Sequence, residues 1–244
     1  MILSNIYNTI LVAPLLNLLV LFYNFLGQDI GLAIIALTVL IRLILYPSFK
    51  HQLESQKKLS EIQPKLQEIK DKHKDDKEAQ SRAMMDFYKQ NKINPFGSCL
   101  PMLVQLVVLF AMYRVFLQGL NGETLTSLYA FVSNPGEINT ISFGFLNLSE
   151  SNLILAGITA VAQFFQGKMM AKMQPQQKKG ATDTGSMMTS MMSKQFVYIF
   201  PVITLIIGAQ LPSGLLVYWL ITTLFAIGQQ SIIMKGKSEK IINS

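Results

Sequence analysis

Half of the 244 residues are hydrophobic and only 14% are charged, a balance that excludes an ordinary soluble domain. Several apolar runs are long enough to cross a hydrocarbon core of about 30 Å. They are continuous rather than alternating, which excludes a closed barrel and predicts an all-α polytopic membrane protein. The net charge of +7 would suggest nucleic acid in a soluble chain, but its placement here is a topology signal.

Residues 1–27 contain no Lys or Arg, so they lack the basic start of a signal peptide, and they contain no lipidation cysteine. From Pro14 onward Leu15, Leu18, Leu19, Phe22, Phe25 and Leu26 recur at helical spacing, while Asn17 and Asn24 form a narrow polar stripe. This pattern predicts an amphipathic helix on the outer membrane surface, with an extra span as the competing reading. Residues 28–47 form the first span, apolar from Ile30 to Tyr46 and ended by Pro47. Arg42 stands about two-thirds of the way along it. A cation at mid-helix costs roughly 2.5–3.5 kcal/mol on insertion scales, and such an arginine usually faces a cavity, a partner or an interface. Snorkelling toward the headgroups, near Lys50, is the plain alternative. The chain offers Arg42 no acidic partner at membrane depth.

Residues 48–94 change character, with eleven Lys/Arg and eight Asp/Glu. Leu59, Ile62, Leu66 and Ile69 repeat as a coiled-coil seam. A polar turn at Lys74 to Lys77 leads to a second stretch bearing Met84, Phe87 and Tyr88. The pattern predicts a cytoplasmic antiparallel helical hairpin, with its first arm kinked at Pro64. The second span, 95–117, holds Gln105 and Arg114, and Cys99 near its head suits a small buried hydrophobe. The loop 118–151 has three acidic residues and no basic one. A third span, 152–170, contains Thr159, Gln163 and Gln166. The polar stretch 171–195 is followed by a fourth span, 196–211, the tight turn Pro212-Ser213-Gly214, a fifth span, 215–234, and a basic tail, 235–244. Sixteen residues reach about 24 Å, so the fourth span is thin for the bilayer.

The hairpin, the 168–194 stretch and the tail hold 11, 5 and 3 of the 21 Lys/Arg, leaving only Arg42 and Arg114, both within spans. The positive-inside rule then places the N-terminus outside and the hairpin, second loop and tail in the cytoplasm. Five spans agree with that orientation.

Enzymatic motifs are absent. His51 and His73 lie in the hairpin, and paired intramembrane aspartates, a Ser–His dyad and zinc-ligand spacings are all missing. Gly236-Lys237-Ser238 fails as a phosphate loop, because Ser231 stands where a glycine is required and no strand precedes it. No cofactor, metal or nucleotide is expected. The remaining signal is a set of polar residues inside the spans: Thr38, Arg42, Gln105, Thr159, Gln163, Thr204, Thr222 and Thr223. Each Thr or Gln taken singly suits ordinary interhelical hydrogen bonding, worth about 0.6 kcal/mol on average. An arginine has five donors and no acceptor, so these neutral groups leave its charge to water or to a visiting anion. Seven of the thirteen methionines cluster from Met169 to Met192, which suits an adaptable apolar surface or interfacial anchoring of that loop.

Two stretches, QPKLQEIK…DDKEAQSRAMMDFYKQNKINPFGSCLPMLVQ and FPVITLIIGAQLPSGLLVYWLITTLFAIGQQ, resemble the YidC membrane-protein insertases and their mitochondrial and thylakoid relatives. The resemblance covers nearly the whole chain from about residue 28. It implies five core helices around a hydrophilic groove that is open to the cytoplasm and to lipid and closed outward. The groove surrounds an arginine on the first core helix, which Arg42 matches. In some members the cytoplasmic regions engage ribosomes or targeting factors. The large extracytoplasmic domain of Gram-negative members is missing, which makes the chain similar to the short Gram-positive type, yet the lipoprotein cysteine of that type is missing too.

The expected function is insertion of small membrane proteins into a bacterial cytoplasmic membrane without nucleotide hydrolysis. Arg42, Gln105, Gln163, Trp219, Thr38 and Thr204 are the expected groove residues, and Pro64, Met84 and Tyr88 belong to a receiving hairpin. Trp219 also suits plain aromatic packing. The expected partners are the bilayer and nascent proteins with short acidic tails. The resemblance adds a Sec translocon, the ribosome or the signal recognition particle pathway, with no direct nucleic-acid contact. A small solute transporter or channel is the rival reading, but it lacks the repeats and acidic coupling residues such proteins often carry. An assembly factor acting on proteins already in the membrane is a third reading, compatible with the first.

Overall fold

A computed structural model describes residues 2–91, 100–120, 128–173 and 195–242. Pro95, Cys99 and most of the expected 171–195 loop therefore lie outside the described residues. The chain begins with α1 (Ile2–Tyr7), passes through a π-helical turn at Asn8–Val12, and continues as α2 (Ala13–Phe25). From Asn5 to Phe25 this run is long and apolar enough to cross a membrane. Its polar stripe does not face water. Asn17 is buried and accepts a hydrogen bond from the Tyr129 amide at 2.6 Å, while Asn24 Nδ2 donates to the Ser133 carbonyl at 2.8 Å. Residues that looked like a hydrated face in the sequence instead fasten the loop that carries Tyr129 and Ser133.

Asp29 starts α3 (Ile30–Ile44). Its backbone is extended, and its Oδ1 accepts hydrogen bonds from the Gly31 and Leu32 amides at 2.8 and 3.1 Å. This satisfies two of the four amides that a helix start leaves unpaired. Pro47 does not stop the chain. It sits in the first turn of α4 (Tyr46–Lys72), where a missing N–H costs nothing, and α4 departs from α3 at 59°. α4 runs on through Pro64, which removes the bond to the Ser60 carbonyl without ending the helix. Asp76 caps α5 (Lys77–Gln90), accepting from the Glu78 and Ala79 amides. α4 and α5 pack on each other, with Gln80 Nε2 donating to the Lys70 carbonyl at 3.0 Å.

α6 (Leu100–Leu120) precedes a long loop whose only regular structure among the described residues is a two-stranded ladder. There β1 (Ile141–Ser142) pairs antiparallel with β2 (Leu146–Asn147). α7 (Leu153–Met173) is capped by Asn152, which accepts from the Leu155 amide. A π-helical turn at Gln195–Ile199 leads into α8 (Phe200–Gly208). α9 (Ser213–Ile242) then continues through the stretch expected to be a separate basic tail.

By length and composition the segments Asn5–Phe25, Leu153–Lys172 and Ser213–Ile233 each suffice to span, and the bent α3–α4 pair makes a fourth candidate. Leu103–Leu117 and Val197–Gly208 are apolar but shorter. One hydrophobic cluster joins α2, α3, α6 and α9 through residues such as Leu16, Leu19, Ile34, Leu37, Met112, Phe116 and Tyr218. α7 packs between α8 and α9. Their approach is close at Gly208, where a Cβ would stand 2.9 Å from Leu216 Cδ2 and 3.1 Å from Ala156 Cβ. The opposite faces of these helices expose Leu103, Phe110, Ile154, Val161, Val202 and Ile206, as expected for surfaces bathed in lipid.

Candidate functional site

The first link in the site is a helix register. Thr38 and Arg42 are four residues apart and so lie on one face of α3, the face turned toward α9 and away from exposed Leu43 and Ile44. Thr38 is fully buried and returns its hydroxyl to the Ile34 carbonyl at 2.6 Å. Arg42 is only 6% exposed, so the snorkelling alternative fails: the side chain stays inside the helix packing. Past the bend, the ring of Phe49 lies against the guanidinium, with its centroid 4.6 Å from Cζ. An aromatic face attracts a cation, by about 0.5–2 kcal/mol, without neutralising it.

Tyr218 of α9 is buried within electrostatic reach of Arg42. Its hydroxyl accepts a hydrogen bond from Gln105 Nε2 of α6 at 2.9 Å. Gln105, expected from its position in the second span, is thus tied to the same spot as Arg42 through a tyrosine that sequence reasoning passed over. Among the described residues no carboxylate approaches the guanidinium. Two ion pairs, Lys74–Asp71 and Arg82–Glu78, are exposed and belong to the helical pair α4–α5.

The other buried polar side chains continue along the interior faces of neighbouring helices. Thr159 and Gln163 are buried on α7, Thr204 on α8, and Thr222, Thr223, Gln229 and Gln230 on α9. Thr159 and Thr223 satisfy themselves on the carbonyls of Leu155 and Trp219, each at 2.8 Å, as the interhelical-packing reading allows. Gln163 Oε1, Thr204 Oγ1 and Gln230 Oε1 are buried without a protein partner, whereas Thr222 lies within hydrogen-bond reach of Tyr218. Buried polar atoms are nearly always hydrogen-bonded, to ordered water where protein is lacking. Three such atoms and a charged guanidinium lie on packed interior faces.

Trp219 is half-buried and meets Phe200 edge-on, with centroids 6.3 Å apart, which accounts for it as packing between α8 and α9. Pro64 is exposed, whereas Met84 and Tyr88 are half-buried; burial raises the Tyr88 phenol above its ordinary pKa. Of the hairpin residues it is Phe49, rather than Pro64, Met84 or Tyr88, that meets Arg42. Tyr218, Phe49 and Gln230 were missed as site residues, and Thr222 was noticed only as one of the polar residues inside the spans. The signal for Tyr218 and Thr222 was their four-residue spacing on one face of α9. Arg114, the second arginine expected within a span, is exposed and paired with the N-terminal helix, donating to Asn8 Oδ1 at 2.6 Å.

Loop residues 129–150 tie the neighbouring ends of α2, α3 and α9 together. Asp29 binds Ser142 Oγ and the Phe143 amide, the latter at 2.7 Å, in addition to capping α3. Tyr23 Oη accepts from the Asn139 amide. Ser213 and Gly214 donate their amides to the Glu150 and Leu148 carbonyls at 2.8 and 3.0 Å. Partial burial pushes the Asp29 carboxyl up, but the hydrogen bonds from Ser142, Phe143, Leu32 and Gly31 outweigh it and hold the group below the ordinary carboxylate range. Asp29 was also missed, although an aspartate directly before an apolar helical run is a cap signal.

Residues 21–240 match the family model described as the 60Kd inner membrane protein. A relative named "Membrane protein insertase YidC" from Fusobacterium nucleatum is 33% identical over 207 residues, covering 85% of this chain and 87% of its own. One of the same name from Pelobacter propionicus is 33% identical over 231 residues, which is 93% of this chain but only 39% of that longer protein. A third, from Streptomyces avermitilis, is 27% identical and is covered over 52% of its length. Among solved structures, the one titled "Active YidC insertase crystal structure with the first transmembrane domain resolved" shares the fold. It has a TM-score of 0.57 at 24% identity, over 93% of this chain and 46% of that one.

Proposed function

Since the chain belongs to the 60Kd inner membrane protein family of YidC insertases, a multi-pass family of the bacterial inner membrane, we propose that it inserts small membrane proteins through a wet intramembrane niche centred on Arg42. The observation that carries this reading is a buried guanidinium without a counter-ion among the described residues, on helices whose interior faces also bury unpartnered oxygens of Gln163, Thr204 and Gln230. A buried cation of this kind has a large unspent affinity for an anion, because Coulomb attraction grows as water is excluded. An acidic extracytoplasmic tail of a substrate supplies one transiently, through charge-assisted hydrogen bonds.

The apolar segment behind that tail then leaves along the lipid side. There, α7 and α8 leave a shallow apolar groove lined by Ala160, Val161, Phe164, Pro201, Val202 and Leu205. Burial of apolar surface in the bilayer and the membrane potential acting on the tail drive the step, so no nucleotide is needed. Five core spans, α3, α6, α7, α8 and α9, enclose the niche. α4 and α5 form a cytoplasmic receiving arm, and the N-terminus lies outside. A Sec translocon, the ribosome or a targeting factor would meet the cytoplasmic face.

Liposomes containing this protein alone test the proposal. A single-span substrate with an acidic tail should become protected from protease. Arg42→Ala should lower the protected fraction by about tenfold or more, as expected for losing a charge-assisted contact of about 1.5–3 kcal/mol. Arg42→Lys should retain much of the activity, because charge rather than fork geometry is required. Equal protection with wild type and Arg42→Ala would remove Arg42 from the mechanism.

A further inference from the structure

The tip of the outer loop is built against its own backbone preferences. Phe143 and Gly144 both have positive φ, +53° and +79°, and the Phe145 amide closes the turn on the Ser142 carbonyl at 3.2 Å. Two consecutive left-handed residues define the hairpin turn for which asparagine and glycine are the favoured pair. A phenylalanine at the first position is a conformational outlier, held there by Asp29 Oδ2 on its amide. The ring of Phe143 lies over Gly31, where a Cβ would stand 3.1 Å from the ring and would overlap Ser142 Oγ. The next aromatic has no such cover: Phe145 is 82% exposed.

The same edge of the molecule carries Phe131, 74% exposed beside the Asn24 anchor, and Phe25, 84% exposed at the end of α2. Residues 141–146 contain no charge, and the flanking acids Glu137 and Glu150 stand outside the tip. Exposed Leu32, Leu153 and Ile158 continue this apolar surface down α3 and α7. Continuity with the lipid-facing sides of two spans identifies what covers it. Aromatic side chains on an uncharged turn at the end of a span suit the zone between headgroups and acyl chains.

We propose that the loop is a lipid-immersed collar, with Phe145, Phe131 and Phe25 seated in the outer leaflet at the headgroup–acyl boundary and Asp29 setting the depth of the turn. The collar rests on the reading of α3 and α7 as spans, and one experiment separates the two. Single cysteines at Phe145, Glu137 and Ile158, in full-length protein carrying Cys99→Ser, would be spin-labelled in phosphatidylcholine bilayers. Their accessibility to oxygen would then be compared with that to a water-soluble nickel chelate. Label 158 should favour oxygen, label 137 the nickel chelate, and label 145 should resemble 158 with a several-fold higher oxygen-to-nickel ratio than 137.

If 158 is immersed while 145 behaves as 137 does, the collar is wrong and the spans stand. If 158 itself is aqueous, both fall. Adding Asp29→Ala, or Ser142→Ala, which spares the helix cap, should move label 145 toward water. An unchanged ratio in a folded Ser142→Ala protein would overturn the part assigned to the Asp29–Ser142 contact.

Discussion

Arg42 concentrates the chemistry because burial and charge pull in opposite directions at one side chain. A guanidinium on an exposed helix face would reach the headgroups. Arg42 is instead 6% exposed, with the Phe49 ring against it and Tyr218 within electrostatic reach. Thr204 poses the complementary question of whether its buried, unpartnered hydroxyl serves the fold or the niche. Thr204→Val keeps the shape and removes the hydroxyl, and replacing an unsatisfied polar group by an apolar one is near neutral or stabilising. Thermal stability should therefore stay within about 1 kcal/mol of wild type or rise, while insertion falls. A clear drop in melting temperature would instead assign Thr204 a structural bond.

Among the elements, the start of α3 is where the outer loop is fastened to the first apolar helix. Asp29 serves both: its carboxylate caps the helix and holds Ser142 and Phe143. Asp29→Ala should cost about 1–2 kcal/mol, the upper range for a lost cap, measured by thermal unfolding in nanodiscs. The carboxyl titrates below its ordinary range in the folded protein. Its contribution is therefore complete above the ordinary aspartate pKa and is lost as pH falls through the lower folded value. The gap in stability between wild type and Asp29→Ala should be constant near neutrality and close in acid. A gap that widens on acidification contradicts the hydrogen-bonded carboxylate.

For the whole molecule, the distribution of Lys and Arg predicts an orientation with the N-terminus outside. A membrane-impermeant thiol reagent added outside intact cells should label a cysteine at Glu137 and spare one at Glu61, in a Cys99→Ser background; the reverse pattern would invert the topology. Mostly helical architecture, the order of apolar and charged stretches, the family and the one anomalous arginine were legible in the sequence, while the β1–β2 ladder was not. The legible features depend on local composition and spacing, which each segment carries by itself. Helix capping by Asp76 and Asn152 was written there as well, in the residue just before each periodic run.

What tertiary structure alone decided is how faces are spent. Asn17 and Asn24 read as a wet stripe because sequence records polarity and not the neighbour that satisfies it; the loop carbonyl and amide they bind lie over a hundred residues away. Pro47 read as a stop, yet it opens the next helix because a proline ring fits the first turn. Tyr218 was passed over for the same reason that Arg42 was noticed. A charge is conspicuous in an apolar run, whereas a tyrosine becomes part of a site only when packing brings Gln105 to its hydroxyl and Arg42 within electrostatic reach.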